Sequence, residues 1–144
     1  PIRAMRDQGV KVGLGVDGSA SNDIANLMDE ARQTMLLQRV QNGADAMSAR
    51  EALEIASRGG ADVLGRPECG RIALGKRADI AIWDISGIES AGSWDPAALV
   101  IAGPNKVRHL FVEGRQIVRD WHIATLDLPK LIETQNRLAL KLAG

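Results

Sequence analysis

The sequence predicts an α/β chain whose first part pairs helices with one buried strand and whose middle is a small antiparallel sheet. Three observations predict it. A helical stretch is closed by Gly9 and followed at once by the apolar run Val10 to Val16. Apolar residues then recur at helical spacing for two further segments. At Gly65-Arg66-Pro67 the period changes to short β-rich runs separated by turn residues.

Each element has a local reason. Residues 2–8 read as the end of a helix, because Gly9 takes the left-handed C-terminal position without steric cost. Val10 to Val16 has no outward polar alternation beyond Lys11, the pattern of a parallel strand covered on both faces. Ile24, Leu27, Met28, Ala31 and Met35 then mark an amphipathic helix reaching about Gln41, with Asp29, Glu30, Arg32 and Gln33 on its other side. Asn42-Gly43 ends it. Ser48 and Glu51 match a capping box that starts the next helix, and Gly59-Gly60 is expected to break that helix before a short turn through Val63 and Leu64.

Beyond residue 66, Ile72 with Leu74 and Ile80 to Trp83 read as strands around a turn at Gly75. Val107 to Val112 and Gln116 to Trp121 flank Glu113-Gly114 and predict a hairpin. Pro129 opens a closing amphipathic helix carrying Leu131, Ile132, Leu138 and Leu142. The pairs Trp83 with Ile82 and Trp121 with Phe111 are expected to fill the core of the sheet region.

Composition narrows the function classes. The chain has 144 residues, about one domain, and its 18 Lys plus Arg balance 18 Asp plus Glu, so no basic field exists to draw nucleic acid or anionic lipid. Cys69 is the single cysteine and has no internal disulfide partner. No stretch has the ~20 apolar residues of a membrane-spanning helix, and none resembles a signal peptide, so a cytoplasmic protein is expected. The chain opens on Pro1, directly into a helical pattern, and sequence upstream is expected.

Within the apolar run, Gly13, Gly15 and Gly18 form G-x-G-x-x-G. A dinucleotide fingerprint needs the turn to begin where the strand ends, yet Gly13 and Gly15 lie inside the run, and a further helix stands where the second strand of the unit belongs. Asp17 also sits where phosphate would, and two unit charges ~4 Å apart repel by about 4 kcal/mol at an effective dielectric near 20. The alternative makes the glycines a packing device and Asp17 the cargo at the carboxyl end of a strand, the end that faces the catalytic mouth in a (β/α)8 barrel. Local sequence alone equally allows Asp17 to cap the next turn.

The stretches "VGLGVDGSASND" and "ANLMDEARQTMLLQRV" resemble the last strand and helix of the amidohydrolase superfamily, in the aminohydrolase branch that holds cytosine and guanine deaminases and triazine hydrolases. "ADVLGRPECGRIALGKRADIAIWD" resembles the exit of that barrel into its small β domain, and "VRHLFVEGRQIVRD" the returning hairpin. The resemblance implies the C-terminal part of a metal-dependent (β/α)8 TIM barrel, with residues 1–65 as its last strand and flanking helices. Residues 66–123 would be strands of an accessory β-sandwich domain, and residues 124–144 a helix on the barrel or on a neighbouring subunit of a homo-oligomer.

It further implies that Asp17 is a metal ligand and catalytic proton carrier. The metal would be one divalent ion, zinc or iron, held mainly by histidines upstream. The reaction would be hydrolytic deamination of a heterocycle, an oxidised purine such as 8-oxoguanine, with a triazine as the alternative substrate. The 144 residues alone would be inactive, and a noncatalytic remnant or subunit-contact module is the alternative from another class.

The remaining candidates read more simply. His109 and His122 have no ligand spacing, Cys69 lacks a basic neighbourhood in sequence, and Arg71, Lys76 and Arg77 look like a solvated turn. Ser19 and Asn22 follow Asp17 in the loop and either touch substrate or, the preferred reading, cap the following helix.

Overall fold

The computed structural model describes residues 1–18, 21–22, 25–103 and 106–144. Helix α1 (Ile2–Asp7) closes as its sequence dictates: Gly9 adopts φ +77°, its amide donates to the Arg6 carbonyl at 2.9 Å, and that of Val10 donates to Met5 at 3.0 Å. Residues 10–18 then form neither helix nor ladder. The strand predicted at Val10 to Val16 therefore has no pairing among the described residues, and the amides of residues 11–17 meet no hydrogen-bond acceptor there.

Helix α2 (Leu27–Asn42) starts at Asn26, whose side chain accepts from the Met28 amide at 3.1 Å. The cap is thus Asn26 and not Asn22, while Ser19 and Ile24 lie outside the described residues. The helix buries Ala31, Thr34, Met35 and Gln38. Gln38 and two arginines tie its end to the flanking segments: Gln38 Oε1 accepts from the Arg3 amide, Arg3 Nη1 donates to the Ala46 carbonyl, and Arg39 Nε donates to that of Met47.

Helix α3 (Ala49–Glu54) carries the predicted capping box in full. Ser48 Oγ accepts from the Glu51 amide at 3.2 Å, and Glu51 Oε2 accepts from the Ser48 amide at 2.7 Å. The Ser48 amide first, then the Ser48 hydroxyl, hold the Glu51 carboxyl below its ordinary range, and the Arg6 charge adds to the effect. A lowered carboxyl pKa in the folded state contributes stability above the unfolded value, and that contribution is lost as pH falls through the folded pKa. Ser48→Ala is expected to cost about 1 kcal/mol at neutral pH. In denaturant titrations its deficit relative to the parent should shrink as pH falls below the ordinary glutamate range.

Gly59-Gly60 does not break this helix. The chain continues through a π turn (Ile55–Gly59) into α4 (Gly60–Val63), with both glycines in right-handed helical geometry. What the glycines provide is proximity. A Cβ on Gly59 would collide with the Val12 carbonyl oxygen, and one on Gly13 would lie 2.9 Å from the Gly60 Cα. The run that leads to Asp17 rests directly on this helical backbone.

The core gathers Ala31, Met35, Met47, Ala49, Ala52 and Ile55 with Ala97 and Ile101. The last two belong to a helix the sequence reading missed, α5 (Pro96–Ala102), which Asp95 caps by accepting from the Ala97 amide while Pro96 occupies the first turn. The same Asp95 carboxylate accepts from Arg50 Nη2 at 2.7 Å, so cap and core contact are fixed together.

The sheet is β1 (Ile80–Trp83), β2 (Val107–Val112), β3 (Arg115–Arg119) and β4 (His122–Ile123), in that order and antiparallel throughout. Glu113 (φ 51°) and Gly114 (φ 79°) make the predicted two-residue turn, both in the left-handed region a twisted hairpin favours. Asp120 (φ 44°) and Trp121 (φ 66°) make a second, which is why the strand predicted to reach Trp121 stops at Arg119.

Two expectations fail here. Ile72 and Leu74 form no strand and are 81% and 103% exposed. The tryptophan pairs do not fill a sheet core either. No described residue of the four strands is fully buried, and Trp121 lies half-exposed beneath the Arg108 guanidinium at 5.2 Å.

Helix α6 (Leu128–Ala143) begins at Asp127, which accepts from the Lys130 amide, with Pro129 in its first turn as predicted. It has no buried residue, and Leu131, Ile132 and Leu138 are each about half exposed. Among the described residues no helix is long and apolar enough to cross a membrane.

Candidate active site

Asp17 stands where the apolar run ends. It is exposed and adopts φ +60°, a left-handed conformation that costs most residues about 1–2 kcal/mol and that aspartate tolerates better than most. Its Oδ1 accepts from the amide of its neighbour Gly18 at 2.7 Å. That amide is the group a phosphate would need, so the glycine motif presents a carboxylate and not an anion cradle.

The loop closes on itself immediately afterwards. The amides of Ser21 and Asn22 both donate to the Gly18 carbonyl, at 2.9 and 3.0 Å. The Asn22 side-chain amide donates to the Val16 carbonyl at 2.8 Å and to Glu30 Oε1 at 2.7 Å, so it binds the end of the run to the first turn of α2. Of the predicted site residues, Asp17 and Asn22 are brought together and Ser19 lies outside the described residues. Sequence reasoning missed Glu30, which periodicity assigns to the polar face of a helix and nothing more.

The other candidates are engaged elsewhere. His109 Nδ1 accepts from the Asp120 amide at 3.3 Å and its Nε2 lies 3.7 Å from Asp120 Oδ1, both within the sheet region and not beside Asp17 in sequence. His122 Nδ1 is 2.6 Å from the Asp120 carbonyl oxygen. The Cys69 thiol faces Asp79 Oδ2 at 3.8 Å. Arg77 pairs with Glu113 and Glu68, and Lys76 Nζ donates to the Pro67 carbonyl at 2.8 Å.

Among the described residues no three His, Cys, Asp or Glu side chains gather as a metal site. Asp17 fits as one donor of a shared site: it is an exposed carboxylate with one oxygen fixed by Gly18 and no donor among the described residues on the other. Aimed outward from a braced turn, such a group can ligate a cation, accept a proton from water, or return one to a leaving group.

Comparison with known proteins adds an independent observation. The family model described as the amidohydrolase family matches residues 1–117. Over 133 residues the chain is 41% identical to an 8-oxoguanine deaminase of Pseudomonas aeruginosa, covering 92% of this chain and 30% of that protein. Atrazine chlorohydrolase from Arthrobacter aurescens, solved in complex with zinc, superposes with a TM-score of 0.87 at 35% identity over 96% of this chain and 32% of its own. An adenosine deaminase from Xanthomonas campestris with bound zinc gives a TM-score of 0.92 at 26% identity, over 99% of this chain and 34% of its own. The chain thus spans about a third of the length of these relatives.

Proposed function

Since the chain belongs to the amidohydrolase family, we propose that it is the C-terminal part of a metal-dependent aminohydrolase that deaminates an oxidised or amino-substituted purine and releases ammonia. Residues 1–65 would contribute the last strand and flanking helices of a (β/α)8 barrel, with Val10 to Val16 as that strand. Residues 66–123 would contribute strands to a β-sandwich, and α6 would pack on the barrel.

The observation that carries the proposal is Asp17 itself. It is exposed at the end of the run that rests on Gly59 and Gly60, its backbone is left-handed, and its carboxylate is oriented by Gly18. In this reading Asp17 is a ligand to one divalent metal, zinc by analogy with the relatives solved with it, and the remaining ligands are histidines outside these residues. When bound, such a metal would lower the pKa of water far below its bulk value, to about 7, and so supply hydroxide at neutral pH.

The chain's own contribution is proton handling. Asp17 takes the proton of the attacking water and delivers it to the departing amine, leaving a carbonyl on the ring. The Gly18 amide keeps one carboxylate oxygen in place, so the carboxylate does not have to search for its orientation during the reaction. Ser19 and Asn22, which follow Asp17 in the sequence, would be the next residues to consider as substrate contacts.

The experiment is ammonia release by the full-length protein across a panel of oxopurines, aminopurines, pterins and triazines. Release from an oxopurine is expected. A triazine as the preferred substrate would move the protein to the triazine hydrolases it also resembles, and no release from any member would refute the enzyme.

A further inference from the structure

We propose that Asn22 and Glu30 are positioning residues that hold Asp17 in its working conformation. The inference rests on the reading of Asp17 as the proton-handling group. A primary amide has two N–H donors, and here both are directed inward: one to the Val16 carbonyl at 2.8 Å, the other to Glu30 Oε1 at 2.7 Å. The carboxylate partner makes the second bond charge-assisted.

The placement of these bonds is what matters. Val16 immediately precedes Asp17, so the Asn22 side chain fixes the peptide that enters Asp17. The Asn22 amide nitrogen, with that of Ser21, holds the Gly18 carbonyl and so fixes the peptide two bonds beyond it. One residue grips the backbone on both sides of the carboxylate. Asp17 at φ +60° needs such a grip, because a non-glycine residue stays in a sparsely populated conformation only where its surroundings over-determine it.

Glu30 extends the brace into the scaffold. It is half-buried in the first turn of α2, where Asn26 fixes the helix start and the helix dipole favours a carboxylate. The sequence of contacts runs from a capped helix through Glu30 and Asn22 to the Val16 carbonyl and Asp17. Neither Asn22 nor Glu30 has to touch substrate for its loss to be felt.

The test is steady-state kinetics on the full-length enzyme for Asn22→Ala, Glu30→Ala, Glu30→Gln, Asp17→Asn and the Asp17→Asn/Asn22→Ala double variant, with melting temperature and zinc content measured for each. Asn22→Ala and Glu30→Ala are expected to lower kcat about 10- to 100-fold with KM within about twofold, as for loss of an interaction made in the transition state. Glu30→Gln keeps an amide oxygen for Asn22 to donate to and is expected to remain within about threefold of the parent.

The double variant should be no slower than Asp17→Asn alone, because a residue acting through Asp17 has nothing left to position. A multiplicative loss in the double variant, or a raised KM at unchanged kcat, would overturn the inference in favour of a direct substrate contact. Should Asn22→Ala fail to fold, the Glu30 pair decides: equal damage from alanine and glutamine in folded proteins also overturns it. Normal activity in Asp17→Asn would instead remove the reading of Asp17 itself, whatever the other variants do.

Discussion

Replacing Asp17 with asparagine in the full-length protein is expected to lower ammonia release by about 10³-fold or more, with folding preserved. Asparagine has nearly the same shape and can still accept from the Gly18 amide, so the left-handed turn and its brace survive. What it loses is the capacity to take a proton. General acid–base catalysis contributes about 10²–10⁴ in rate, and a thousandfold loss corresponds to about 4 kcal/mol of barrier at 1.36 kcal/mol per decade. Because Asp17 is exposed, the substitution leaves no buried group without a partner, and circular dichroism and denaturant midpoints should match the parent. Ammonia release within tenfold of the parent would show that another group carries the proton.

The second large effect lies in a pair of neighbouring glycines with opposite responses. Gly59→Ala is expected to destabilise the protein by about 1–3 kcal/mol or more, the range for inserting a carbon into packed structure. Its Cβ would meet the Val12 carbonyl oxygen, a backbone atom that cannot rotate away. Gly60→Ala is expected to be neutral or stabilising by about 0.5–1 kcal/mol, since Gly60 is helical and its Cβ would meet nothing within 4 Å. Activity should follow the same split. Displacing Val12 moves the run that ends at Asp17, and a shift of 1 Å at a reacting group can cost about 10²-fold. Urea titrations and kcat on the two variants check both halves. Equal stability of the two would mean that the run does not rest on the helix.

Local chemistry was legible in the sequence and distant chemistry was not. The Ser48 and Glu51 box, the glycine closing α1 and the Glu113-Gly114 turn are interactions among residues three or fewer apart, and each stands where the sequence puts it. Gly59-Gly60 misled because a glycine pair has the same composition whether it ends a helix or admits another backbone. Only the approach of Val12 and Gly13, more than 40 positions away, distinguishes the two. Helix α5 was missed although Asp95-Pro96 is a sound start signal, because its seven residues carry too short a periodicity to register. Ile72 and Leu74 have strand character but no strand beside them. At the site, the sequence shows Asp17 at the end of an apolar run, but local sequence equally allowed a turn cap, and its proposed role came from the family resemblance. Its brace was not legible, since Asn22 and Glu30 become neighbours only once α2 has folded back against the loop.

Among the described residues the stretch from Lys11 to Asp17 is unpaired, and this bears on handling the molecule. Its amides meet no acceptor among the described residues, its side chains are largely aliphatic, and Lys11 and Asp17 supply its only formal charges. That combination is the template on which other chains assemble edge to edge, and proteins ordinarily shield it. Solubility of this segment is thus a loan from whatever flanks it: cut free by a protease, it would favour precipitate over solution.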